Sequence, residues 1–180
     1  IGERDQPMRA CYGALDRGNQ FHDLSISYAL QRIPEGRLKP LGTADALLQC
    51  LIIVPEWRGS SFTVCNSDNL YTIGALKALR QFTSSGGMID YSRDTLGVAS
   101  DRVYQFAVIK KNAEGYLQTI IEKPSAEEIA LCTNEHGRVG VSMNLFRFFY
   151  DRILPALESV PINPVRYEKE LPSAVCLMLE

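Results

Sequence analysis

The sequence predicts an α/β layered domain with a mainly parallel sheet and some antiparallel strands. Three observations carry this expectation. β-rich and helix-periodic segments alternate along most of the chain, the pattern that builds a sheet covered by helices. One hairpin signature interrupts the alternation, two β-rich runs around Asn112-Ala113-Glu114-Gly115, with Gly115 suited to a left-handed turn position. No internal repeat or linker divides the 180 residues, a length that fits a single domain over 1–180 with a sizeable core.

Taken in order, "IGERDQPMRACYG" at the start resembles the end of a strand followed by a helix, as though a domain had already begun. Leu24 to Leu30, "LSISYAL", alternates apolar and polar residues and is predicted as a strand;. "RIPEGRLKPLG" is a loop rich in Pro, Gly and charge, and Thr43 is the predicted N-cap of a helix over "ADALLQCLIIV";. "SFTVCN" is a short buried strand, and "TIGALKALRQF" a helix with Ile73, Leu76 and Leu79 on one face;. After "GGMIDYSRD", a short strand leaving a glycine turn, comes the hairpin "RVYQFAVIKKNAEGYLQTIIEKP". "SAEEIALC" is a helix with an acidic first turn, "RVGVSMNLFRF" one strand, and "FYDRILPALESV" and "YEKELPSAVCLML" closing helices that each carry a proline able to bend or split them;.

Composition narrows the function classes. A chain 46% hydrophobic and 22% charged with net charge −2 is that of an ordinary soluble globular protein;. It offers no basic stripe for nucleic acid, so a phosphate-bearing partner is expected to be a small molecule. The longest apolar stretches, such as Ala46 to Val54, are too short to span a bilayer, and the polar residues Ile1 to Met8 do not read as a signal peptide;. Five scattered cysteines (Cys11, Cys50, Cys65, Cys132, Cys176), two histidines (His22, His136) and no C-x-x-C pair argue against a disulfide framework or a zinc site. Reduced thiols in a cytoplasmic protein are the expectation.

In α/β sheets ligands bind outside the carboxyl ends of strands, and four segments lie where chemistry could follow. In "KPLGTADAL", Pro40 and Gly42 shape a tight approach to a helix whose free N–H groups attract an anion or a nucleobase carbonyl; a plain loop-to-helix cap is the alternative;. Asp68 in "NSDN" follows a strand, where a carboxylate could cap an Asx turn, accept a phosphoryl group, or hold Mg²⁺ against a phosphate;. Glu122 and Lys123 in "IIEKPS" pair an acceptor for sugar hydroxyls with a cation for a phosphate, or form a solvated charge pair;. Asn144 is a polar residue amid an apolar strand, apt to hydrogen-bond a sugar or a buried backbone group;.

The order of these pieces, "YALQ…KPLGTADAL", "NSDN", "GYLQTIIEKP", "VGVSMNLFRF" and "KELPSAV", resembles the sugar-phosphate nucleotidylyltransferase family over almost the whole chain. The resemblance implies a Rossmann-like nucleotide-diphospho-sugar transferase fold, three-layer α/β/α with a mixed, mainly parallel sheet. It implies an enzyme that joins an NTP and a sugar 1-phosphate, with Mg²⁺ as cofactor, and releases pyrophosphate. Carried over, Gln31, Pro40 and Gly42 contact the nucleotide, Asp68 is a catalytic metal ligand, Lys123 is catalytic at the sugar phosphate, and Glu122 and Asn144 bind the sugar. The partners implied are these two substrates, with neither nucleic acid nor membrane, and a homo-oligomer is compatible.

The sequence also departs from the family pattern. No N-terminal glycine-rich loop with Arg and Lys precedes "IGERDQPMRACYG", the glycine often found before the hairpin is replaced in Tyr104-Gln105-Phe106-Ala107, and Ser173 stands where an acidic residue is common. A second metal-binding Asp, usual downstream of Leu179, is absent from the sequence. The domain is therefore expected to be incomplete at both ends and inactive as these 180 residues alone. A non-catalytic sensor of nucleotide or sugar phosphate and a metal-dependent glycosyltransferase are the rival readings.

Overall fold

The computed structural model describes residues 1–3, 5–84, 86–97 and 106–179. The expected departure at Tyr104-Gln105 and the start of the first hairpin strand lie outside these residues.

Helix α1 (Gln6–Arg17) buries none of its residues. The chain from Leu24 to Leu30 then runs without ladder bonds, which corrects the expectation of a strand there. Alternating side chains favour an extended backbone, but a strand also needs a partner along its length. This segment finds one only at its end: the Ile1 amino group donates to Ala29 O at 2.9 Å, and Gln31 N donates to Ile1 O at 2.9 Å.

Helix α2 (Thr43–Ile53) begins one residue earlier than the composition suggests, with Gly42 as its N-cap. The Thr43 hydroxyl instead accepts from Leu171 N at 2.9 Å. Strand β1 (Ser61–Val64) and helix α3 (Ile73–Gln81) follow, the helix capped by Thr72, whose side chain accepts from Ala75 N. Of the face expected to be apolar on α3 only Leu79 is buried. Strands β2 (Gly86–Met88) and β3 (Tyr91–Ser92) precede the hairpin of β4 (Val108–Lys111) and β5 (Leu117–Ile121), whose turn uses Gly115 at φ +86°. Helix α4 (Ala126–Cys132) starts with a capping box: Ser125 Oγ accepts from Glu128 N while Glu128 accepts from Ser125 N;.

The predicted strand over "RVGVSMNLFRF" is two strands, β6 (Gly140–Val141) and β7 (Phe146–Phe149), separated by a break in which Asn144 adopts φ +53°. Asparagine tolerates the left-handed region that β-branched residues resist. Helices α5 (Tyr150–Ser159) and α6 (Leu171–Leu179) close the described chain; Pro155 lies inside the first without ending it, and Pro172 sits in the first turn of the second;.

The strands form two sheets, β1-β7-β2 and β3-β6-β4-β5. Every ladder between named strands is antiparallel, so the expectation of a mainly parallel sheet is corrected for the described residues. In the first sheet the cause is β7, which returns between β1 and β2 and runs against both; among the described residues the only parallel pairing is the single bridge Gly2–Gln31. The Ser142–Leu145 break carries the chain from one sheet to the other.

Phe62, Phe146, Phe148 and Tyr150 are buried with Leu51, Ile153, Leu157, Leu171, Ala174 and Val175 in one core between the first sheet and α2, α5 and α6. Burying each of the larger side chains is worth about 1.5–3 kcal/mol, and the one buried hydroxyl among them is satisfied, Tyr150 donating to Leu51 O at 3.0 Å. Cys176 on α6 accepts from Ile120 N at 3.4 Å and fixes that helix on β5. Among the described residues no helix is long and apolar enough to cross a membrane.

The second sheet is held by charge as well as by Val108, Val139 and Val141. Asp90 accepts from Arg138 Nη1 at 2.7 Å and from Lys111 Nζ. Burial alone would raise the Asp90 pKa, but the hydrogen bonds and charges of Arg138 and Lys111 outweigh it and hold the carboxyl below its ordinary value;. A depressed folded-state pKa gives stability that is present above the unfolded value, about 3.9, and is lost as pH falls through the folded value. Asp90→Asn is thus expected to cost about 1–3 kcal/mol at pH 7, with the deficit shrinking as pH falls below about 3.9 and on through the folded value. Urea midpoints at both pH values check this.

Candidate functional site

Gly42 has φ +109° and ψ −173°, a backbone state open essentially to glycine alone;. A Cβ there would stand 2.6 Å from Lys169 O. The close approach is used: Ala44 N donates to Lys169 O at 3.0 Å, and Lys169 N donates to Leu41 O. Gln31 Nε2 donates both to Gly42 O at 2.8 Å and to the buried Asp45 carboxylate at 2.7 Å. Gln31 and Gly42 are thereby brought together, and half-buried Pro40 leads into them.

Glu122 and Lys123 occupy the carboxyl end of β5, as expected, with Lys123 exposed at φ +48°. The loop 163–170 faces Glu122. It is braced by Asn163, whose side-chain oxygen accepts from Val165 N and Arg166 N and whose amide donates to Glu170 Oε2 at 3.0 Å. Arg37 ties the same loop from outside by donating to Tyr167 O. Arg166 Nη1 lies 2.6 Å from Glu170 Oε1 and 3.7 Å from Glu122 Oε2. Burial pushes the Glu122 carboxyl above its ordinary pKa, and the charge of Glu170 adds to this; Arg166 and Lys123 pull it back;. The expected helix over "YEKEL" is instead this turn, because Asn163 and Pro164 favour a turn over a helix and Glu170 is turned inward;.

Asp68 is exposed in the turn that follows β1. The turn is pinned by Tyr71, whose hydroxyl accepts from Asn66 N at 3.1 Å and donates to Met143 O at 2.7 Å; Asn69 Nδ2 donates to the same carbonyl at 3.2 Å. The Asp68 turn is therefore anchored beside Asn144, whose N–H donates to Ser142 Oγ at 3.2 Å.

Two groupings result. The Gly42 segment and Glu122 both contact the 163–170 loop, with Gln31 bonded to Gly42, and Asp68 and Asn144 meet through Tyr71 and Met143. No contact among the described residues joins Asp68 directly to Glu122 or Lys123, and no group of three or more His, Cys, Asp or Glu there is placed to hold a metal. A cavity of about 730 Å³ lies between α3, β2, β5 and α6, but none of the predicted residues lines it. Sequence reasoning missed Tyr71, Asn69, Arg166 and Glu170. The available signals were faint: a tyrosine two residues after a polar strand tip, and the Asn-Pro dipeptide that stops "YEKEL" from being helical.

A family model described as "Nucleotidyl transferase" matches residues 6–157. The chain belongs to the nucleotidyl transferase family. The matched span holds every predicted site residue from Gln31 to Asn144, whereas Arg166 and Glu170 lie beyond it. Two glucose-1-phosphate adenylyltransferases are similar in sequence. The one from Koribacter versatilis (strain Ellin345) is 23% identical over 141 residues, 78% of this chain and 33% of that protein. The one from Rhodopseudomonas palustris (strain HaA2) is 28% identical over 123 residues, 68% of this chain and 28% of that protein. This nucleotidyl transferase chain thus spans about a third of the length of the curated relatives it matches.

In three dimensions it is similar to UDP-glucose pyrophosphorylase, with TM-scores of 0.59 for the complex with UDP-glucose and 0.63 for the apo form. The identities are 14% and 15%, and each match covers 98% of this chain and 66% of the other. At that identity the likeness concerns the fold, and the α/β nucleotidyl transferase architecture expected from the sequence is present.

Proposed function

We propose that this chain carries the transfer core of an enzyme that joins a nucleoside triphosphate to a sugar 1-phosphate, giving a nucleotide sugar and pyrophosphate. One observation supports this above the others: the 163–170 loop bonds to the Gly42 segment on one side and contacts Glu122 on the other. The segments assigned to the two substrates share one support. The names of the relatives, which refer to glucose 1-phosphate and UDP-glucose, agree with the substrate classes.

In this reading an oxygen of the sugar phosphate attacks the α-phosphorus of the NTP in line. The new P–O bond forms as the bond to the bridging oxygen breaks, and pyrophosphate leaves with that electron pair. The attacking oxygen is already anionic, so the chain need supply no nucleophile; its task is to bring two anions together. Lys123, exposed at the end of β5, neutralises the sugar phosphate. Glu122 accepts from sugar hydroxyls and Asn144 hydrogen-bonds the sugar. Gln31 has its amide nitrogen committed to Gly42 and Asp45, so it offers its carbonyl oxygen to the base, with Pro40 and Gly42 shaping the approach.

Asp68 fits a Mg²⁺ ion shared with substrate, because it is a single exposed carboxylate on an anchored turn and Mg²⁺ takes one or two carboxylates together with waters and phosphate oxygens;. When bound, the ion offsets repulsion between the two reactants. The five cysteines are free thiols, which accords with action in the cytoplasm;.

The test is pyrophosphate release by the natural full-length chain, supplied with Mg²⁺, the four common NTPs and a panel of sugar 1-phosphates. Release with one pairing is the expected result. Tight binding of nucleotide or sugar phosphate without release would favour a non-catalytic sensor.

A further inference from the structure

Arg166 Nη1 faces two carboxylates at once, 2.6 Å from Glu170 Oε1 and 3.7 Å from Glu122 Oε2. The two are not equivalent. Glu170 is buried and held through its other oxygen by Asn163 Nδ2, whereas Glu122 is only half-buried at the end of its strand. The backbone that carries the guanidinium is itself fixed, since Arg166 N donates to Asn163 Oδ1 at 3.2 Å. A pinned carboxylate therefore sets the cation, and the cation faces the free carboxylate.

We propose that Arg166, seated by Glu170, is a positioning residue that orients Glu122 and keeps it ionised to accept from the hydroxyls of the sugar phosphate. This rests on the transferase reading above. The need is physical, because a carboxylate must be charged to accept two hydroxyl hydrogen bonds. The charged groups facing Glu122 are Glu170 and Arg166 from the loop and its neighbour Lys123. Burial and Glu170 work against ionisation, and Arg166 is the cation within 4 Å that opposes them.

The arrangement makes Glu122 respond in opposite directions to two substitutions. Arg166→Gln removes the opposing cation, so the Glu122 pKa rises. Glu170→Gln removes the adjacent anion and leaves Arg166 with Glu122 alone, so the pKa falls. Both are read by ¹³C-carboxyl NMR titration of the full-length chain. Arg166→Gln is also expected to raise KM for the sugar 1-phosphate by about three- to tenfold, more than it lowers kcat, for a charge-assisted contact that is partly exposed. The rise in KM should steepen as pH falls, because Glu122 protonates at a higher pH in the variant than in the parent, and Arg166→Lys should recover part of the loss.

A Glu122 titration that Arg166→Gln leaves in place overturns the proposal, and this variant alters an exposed side chain, so the test survives even if Glu170→Gln fails to fold. Opposed shifts of Glu122 in a chain that turns over no NTP and sugar phosphate would instead overturn the transferase reading and with it the role in sugar binding, while leaving the electrostatic clamp. An unmoved Glu122 in an active enzyme would overturn the clamp alone.

Discussion

Asp68→Ala is expected to slow pyrophosphate release by about 10²–10³-fold, the loss typical of removing one preorganised electrostatic stabiliser. The same substitution should leave the unfolding free energy within about 0.5 kcal/mol of the parent. The second half of the expectation follows from the turn itself. The turn is held by Tyr71 and Asn69 against Met143 O, not by the Asp68 carboxylate, which is exposed and has no partner among the described residues.

Two further variants separate charge from reach. Asp68→Asn keeps the shape and loses the charge, and should be nearly as slow as Asp68→Ala. Asp68→Glu keeps the charge but displaces it by one methylene, a shift of a size that can cost about 10²-fold on its own. Stopped release in the alanine variant with an unchanged urea midpoint would support the metal role. A lowered midpoint with parallel loss of release would mean that Asp68 is a turn-former.

Gly42→Ala is expected to have the largest effect on stability, about 2–6 kcal/mol. Two costs combine there. The backbone at φ +109° and ψ −173° is strained for any residue with a Cβ, by about 1–3 kcal/mol;. The new methyl would also stand 2.6 Å from Lys169 O and 3.1 Å from Lys169 N, and backbone must move to admit it, at about 1–3 kcal/mol more;. Gly36→Ala provides the comparison. Gly36 also has positive φ, +78°, but nothing lies within 4 Å of its added Cβ, so it should show the strain alone. A urea midpoint for Gly42→Ala no lower than that for Gly36→Ala would mean that the docking of the Gly42 segment on Lys169 contributes nothing.

Much of this was readable from residues alone where local chemistry and tertiary context agree. The hairpin around Gly115 and the helices over "TIGALKALRQF" and "SAEEIALC" appeared where turn residues, apolar spacing and an acidic first turn put them. The positions of Glu122 and Lys123 at a strand end were likewise legible from "YLQTII" and the proline after it. The failures share a cause, which is dependence on something distant. Leu24 to Leu30 has the alternation of a strand, but among the described residues its one long-range backbone hydrogen bond comes from the Ile1 amino group to Ala29 O. "RVGVSMNLFRF" reads as continuous because nothing in its alternation reveals that Asn144 turns left-handed between two sheets. The direction of the ladders in the first sheet was set by the return of β7 between β1 and β2, a matter of topology that periodicity does not encode. Arg166 and Glu170 went unnoticed because a charged pair four residues apart usually signals an exposed helix face, whereas here Glu170 points inward from a turn.

The 163–170 loop has a thermodynamic consequence under the proposed function. Its backbone at Lys169 is bonded to Leu41 and Ala44, and three residues earlier its side chain at Arg166 faces Glu122. A nucleotide that tightens the first attachment acts on the support of the second. Whatever free energy is transmitted this way is reciprocal: if the nucleotide strengthens the grip on the sugar, the sugar must strengthen the grip on the nucleotide by the same factor. A loop of eight residues would then couple the two substrates through the protein, in addition to the contact they make where they react.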